Sequence, residues 1–133
     1  MIRGIKEKDS EQLHLLFNEK HKNLACKFIH PDVHESKIET LVYEENNEIV
    51  GMIVLTAVKY STNPYGTIEE LIIRKSGEEH KLGKTLLTTA MDWFGKNEIK
   101  RVFVFAEREE SELFEEMGFE KSDMIMYYKN LNK

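Results

Sequence analysis

From Thr67 to Phe119 the chain reads TIEELIIRKSGEEHKLGKTLLTTAMDWFGKNEIKRVFVFAEREESELFEEMGF, and this stretch restricts the fold more than any other. Ile68, Leu71, Ile72 and Ile73 make an apolar run with strand character. A short polar turn leads into a helix on which Leu82, Leu86, Leu87, Ala90, Met91 and Phe94 recur at spacings of three and four, one apolar stripe. A second strand, Val102 to Phe105, follows, and then a short helix from about Glu110 to Met117 before Gly118-Phe119. Gly83 lies in the first helical turn, where backbone N–H groups and the helix dipole favour an anion.

The rest of the chain supplies a meander. Ile2 to Lys6 alternates apolar and polar and predicts a half-buried strand. Asp9-Ser10 caps a helix with Leu13, Leu16 and Phe17 on one face. His21 to His30, with Leu24, Phe28 and Ile29, reads as more helix or a connecting loop. Pro31-Asp32 opens a second short helix running to about Glu39. Leu41 to Tyr43 reads as a strand, Glu45-Asn46-Asn47-Glu48 as a hairpin turn, and Ile49 to Tyr60 as a long strand. Ser61 to Gly66 is a loop dense in turn formers, and Met124 to Lys129 is a final strand. The expected order is β-α-α-β-β-β-α-β-α-β. A meander followed by a helical crossover implies an α/β (α+β) fold with a mixed, mostly antiparallel central sheet and flanking helices. No repeat, low-complexity tract or linker interrupts residues 1–133, so a single domain is expected.

Charge and cysteine usage narrow the ligand classes. Acidic residues outnumber basic ones by 24 to 19, which disfavours nucleic acid as the main ligand. The basic residues that cluster (Arg74, Lys75, Lys81, Lys84) flank the glycine turn and suit a small phosphorylated ligand. No apolar run approaches the ~20 residues of a membrane span, and the charged N-terminus lacks the apolar core of a signal peptide. Cys26 is the one cysteine, so neither an intrachain disulfide nor a thiol metal cluster is expected. His14, His21, His30, His34 and His80 are dispersed, and no metal site is expected. A cytoplasmic protein is the natural reading.

The region from Thr67 to Phe119 resembles the acyl-CoA-binding half of the GCN5-related N-acetyltransferase (GNAT) superfamily, and the element order resembles it over nearly the whole chain. In that family a strand ending in Leu-x-Val leads without a gap into a [Gln/Arg]-x-x-Gly-x-[Gly/Ala] turn and a helix with paired leucines. Leu71-Ile72-Ile73, Leu82-Gly83 and Leu86-Leu87 fall on those positions. Glu78 stands where Gln or Arg is usual, and Lys81 stands where the first glycine is usual. The family also often carries a tyrosine four residues before the Gly-Phe that ends the short helix; here that position is Phe114.

The resemblance implies acetyl-CoA as cosubstrate, held by Leu71, Ile72, Ile73, Glu78, Lys81, Leu82, Gly83, Lys84 and Thr85. It implies direct transfer of the acetyl group to a primary amine of a small molecule or peptide. Aminolysis of a thioester needs a base for the amine, and Glu69 and Glu70 occupy the strand where the family places one. Successive strand side chains alternate faces, so one of the two should look into the cleft. At the turn, Glu78 and Glu79 either repel an anion or simply favour the helix start. Two alternatives compete with the enzyme. One is a non-catalytic GNAT-fold module that binds a partner or senses a CoA ester. The other is a small interaction domain whose sheet edge makes a homodimer.

Overall fold

The computed structural model describes residues 1–21 and 33–132. Helix α1 spans Ser10–Lys20, strands β1, β2 and β3 span Glu35–Glu45, Glu48–Lys59 and Tyr65–Ile73, and helix α2 spans Glu79–Lys96. Strand β4 (Val102–Val104) and helix α3 (Ser111–Glu116) follow, and short 3-10 turns, Glu7–Asp9 and Arg108–Glu110, precede α1 and α3. The four strands form one sheet in the order β1-β2-β3-β4. The first two pairings are antiparallel and the last is parallel, so the sheet is mixed and mostly antiparallel, as the meander and crossover imply.

The β1–β2 hairpin turns on Asn46 and Asn47, whose φ values of 51° and 66° are both left-handed. Two consecutive left-handed residues match the right-handed twist of the flanking strands, and asparagine tolerates them better than most side chains. Along β2, Gly51, Ile53, Leu55 and Ala57 are buried in strict alternation. That face meets α2, which buries Leu82, Gly83, Leu86, Leu87, Ala90 and Phe94. Each large apolar side chain buried in this way contributes roughly 1.5–3 kcal/mol. Helix and sheet pack closely, most of all at Gly66. A Cβ on Gly66 would lie 2.3 Å from the Phe94 ring, and one on Gly51 would lie 3.1 Å from Leu86 Cδ1. Helix α2 ends as Glu98 turns left-handed (φ 61°) and Ile99 N–H donates to the Phe94 carbonyl, 2.9 Å. Helix α3 ends the same way, with Gly118 at φ 91° and Phe119 N–H donating to the Phe114 carbonyl, 3.0 Å. The Phe119 ring then meets Phe114 edge-on. Gly118-Phe119 is therefore a helix-stop motif with its usual apolar contact.

Four expectations need correction. Ile2 to Lys6 forms no strand. It is held locally instead: the Lys6 backbone N–H donates to Asp9 Oδ2 (2.8 Å), and the Arg3 guanidinium forks onto both Asp9 oxygens (2.9 and 3.0 Å). The helix expected to run to Glu39 is overridden by pairing from Glu35 onward, where β1 runs against β2 and Glu35 meets Lys59 at 3.4 Å. Its opening at Pro31-Asp32, with Leu24, Cys26, Phe28, Ile29 and His30, lies outside the described residues. On α1, Leu13 and Phe17 are half-buried but Leu16 is 61% exposed, so the apolar face is narrower than the spacing implied. Met124 to Lys129 forms no strand either. A strand exists only where a partner takes its N–H and C=O groups, and this segment has no ladder; Met124 N–H turns instead to Ser122 Oγ, 3.0 Å. No helix among the described residues is long and apolar enough to cross a membrane.

Candidate functional site

The sheet forks at β3. Gly66, Thr67 and Ile68 pair with Val102, Phe103 and Val104, and there the parallel ladder stops. From Glu69 to Ile73 the β4 side of β3 has no strand partner among the described residues. At the same point β3 carries a bulge against β2. Val54 faces Glu70 and Leu55 faces Ile68, leaving Glu69 as the extra residue. A bulge shifts side-chain parity by one. Ile68 therefore faces α2, and so do Leu71 and Ile73 beyond it, while Ile72 points away and is 52% exposed.

The fork holds a cavity of about 160 Å³ lined by Glu69, Glu70, Glu107 and Glu110, with Phe105 and Phe114 on its apolar wall. Simple alternation would have placed only one of the β3 glutamates here. Both line the cavity because the bulge breaks the alternation. Glu107 and Glu110 come from the segment after β4, where Glu110 accepts the Glu107 N–H at 3.1 Å and so caps the short 3-10 turn, Arg108–Glu110, that leads into α3. The sequence offered no strand or motif reason to place them beside Glu69. Phe114 is 3% exposed and belongs to the core, which accounts for an apolar residue at that position.

A second concavity, of about 580 Å³, opens at the N-terminus of α2 and is lined by Gly77, Glu78, His80, Lys81, Lys84 and Thr85. Two lysines therefore face it, and Thr85 bonds back to the Lys81 carbonyl at 3.1 Å. Leu82 and Gly83 lie beneath the surface instead. A Cβ on Gly83 would lie 2.8 Å from Leu113 Cδ2 and 3.2 Å from Ile73 Cδ1. The glycine thus lets α2 pack against α3 and β3, and its contact with a ligand would be through the backbone alone.

The turn before α2 is closed by a device that Ser76-Gly77-Glu78-Glu79 spells out. Ser76 Oγ accepts the Glu78 N–H (3.3 Å), while Glu79 Oε1 accepts the N–H groups of Ser76 (2.6 Å) and Gly77 (2.5 Å). These bonds close the turn just ahead of the helix, whose own N-cap, Glu78, makes no side-chain cap bond, and the Ser-x-x-Glu spacing is a signal that could have been read directly. The Ser76 N–H, then the Gly77 N–H, hold the Glu79 carboxyl below the usual carboxylate range. Glu79 therefore serves the helix start. On the other side of the mouth, His80 Nε2 lies 2.8 Å from Glu116 Oε2 of α3.

A forked, mostly antiparallel sheet with a crossover helix opening beside the fork defines the acetyltransferase class of α/β fold. Residues 4–119 match the sequence model of the acetyltransferase (GNAT) family, and the chain belongs to that family. Solved structures agree on the fold. A predicted acetyltransferase with acetyl-CoA from Clostridium acetobutylicum superposes with a TM-score of 0.63 at 15% identity, over 96% of this chain and 79% of that one. An aminoglycoside acetyltransferase from an uncultured soil metagenomic sample, in complex with sisomicin, gives 0.58 at 21% identity, over 95% and 93%. An integron cassette protein from the mobile metagenome of Cole Harbour Salt Marsh gives 0.60 at 20%, over 98% and 90%. No curated protein sequence matches the chain.

Proposed function

We propose that the protein is an N-acetyltransferase that carries an acetyl group from acetyl-CoA directly to a primary amine. The observation that carries this reading is the fork in the sheet, which leaves an open β3 edge beside a helix mouth lined by two lysines and a cavity lined by four glutamates. Lys81 and Lys84, with the backbone near Leu82, Gly83 and Thr85, would hold the phosphates, and Glu78 stands at the rim. The unpaired edge at Leu71, Ile72 and Ile73 would receive the extended arm of the cosubstrate. Acetyl-CoA supplies the activated acyl group. Glu69 or Glu70 would take the proton that the amine must lose.

The acceptor implied is a cationic amine. Glu69, Glu70, Glu107 and Glu110 are among the residues lining one cavity, and no lysine or arginine is. A field of one sign in a cleft concentrates ligands of the opposite sign. One protein of similar fold is an aminoglycoside acetyltransferase in complex with sisomicin.

Release of CoA from acetyl-CoA, followed with a panel of polyamines, aminoglycosides, amino acids and peptides, tests the reading. Turnover should favour polycationic amines, and Glu69→Gln or Glu70→Gln should lower kcat by about a hundredfold or more. Absence of transfer to every amine, with acetyl-CoA still bound, would favour the non-catalytic CoA-sensing module.

A further inference from the structure

Glu116 ends α3, yet its carboxylate reaches across to α2. Oε2 lies 2.8 Å from His80 Nε2 and 3.6 Å from Lys84 Nζ. Both of those residues line the 580 Å³ concavity at the α2 mouth. The contact is not what seats α3. That helix is anchored by Phe114 in the core and by Leu113 against Gly83, while Glu116 is exposed. Its electrostatic effect falls on the mouth. Lys81 and Lys84 are the lysines lining it, and Glu78 already stands there with the opposite sign. Glu79 is adjacent, but its carboxylate is turned to the Ser76 and Gly77 amides. Glu116 is therefore a further negative charge, delivered from a different element onto two of the groups best placed to meet an anion.

We propose that Glu116 lowers the anion affinity of the α2 mouth, because its carboxylate competes with an incoming anion for His80 and Lys84. The proposal rests on reading this mouth as the CoA site.

Calorimetric titration of the full chain with CoA, and separately with inorganic pyrophosphate, tests it. Glu116→Gln keeps the side-chain shape and removes the charge; Glu116→Ser is a second variant should the first perturb folding, with melting temperature followed for each. Both variants should bind CoA and pyrophosphate roughly threefold to tenfold more tightly at low ionic strength, and the gain should shrink as salt is added. The gain should be largely lost when Lys84→Ala is combined with Glu116→Gln. Equal or weaker binding of both probes by folded Glu116 variants would overturn the proposal. Tighter pyrophosphate binding with no CoA binding by any form would uphold the role of Glu116 and refute the CoA reading of the mouth.

Discussion

Glu79 shows how one side chain at the turn can be mistaken for a defect in a ligand site. Judged by charge alone it repels an anion; judged by its bonds it closes the turn ahead of a helix. Ser76 and Gly77 donate to it, and its folded pKa is accordingly depressed. A depressed carboxyl contributes stability that is present above its unfolded pKa and is lost as pH falls through the folded value. Thermal melts followed from neutral pH down through and below the carboxylate range should therefore show a steeper acid loss for the wild type than for Glu79→Gln. Identical slopes would mean that these bonds do not form in solution. The spacing Ser76-x-x-Glu79 was legible in the sequence, and so were Lys81 and Lys84 as facing residues. Glu107 and Glu110 were not, because nothing local announces that the segment after β4 will lie beside β3. The Glu116–His80 contact spans 36 positions and was equally out of reach.

At the scale of elements, the amphipathic stripe of α2 and the Asn46-Asn47 hairpin were readable because period and turn chemistry act locally. The failures fell where pairing decides. Glu35 to Glu39 became strand because β2 offers a full-length partner, while Ile2 to Lys6 and Met124 to Lys129 had strand patterns but no ladder. The bulge at Glu69 could not be foreseen from alternation, since it is the departure from alternation that brings both β3 glutamates to the cavity. Helix–sheet contact gives a direct check on this packing. The Phe94 ring occupies the space where a Cβ on Gly66 would sit, at 2.3 Å. Gly66→Ala should therefore cost about 1–3 kcal/mol in a denaturant melt, as overpacking does. A second check lies at Gly118, whose φ of 91° suits glycine. Gly118→Ala should cost about 1–2 kcal/mol, and unchanged stability would contradict the helix-stop geometry.

For the whole molecule, the forked sheet of this GNAT-family chain gives one arrangement: a helix mouth lined by Lys81 and Lys84, an open strand edge, and a glutamate-lined cavity beside it. The central claim is that acetyl-CoA lies along this line. Amide chemical shifts of the labelled full chain, followed during titration with acetyl-CoA, test it most directly. Saturable shifts concentrated from Leu71 to Thr85, with smaller ones at Glu69 and Glu70, are the predicted result. Shifts confined to the distant β1 hairpin, or none at saturating acetyl-CoA, would contradict it.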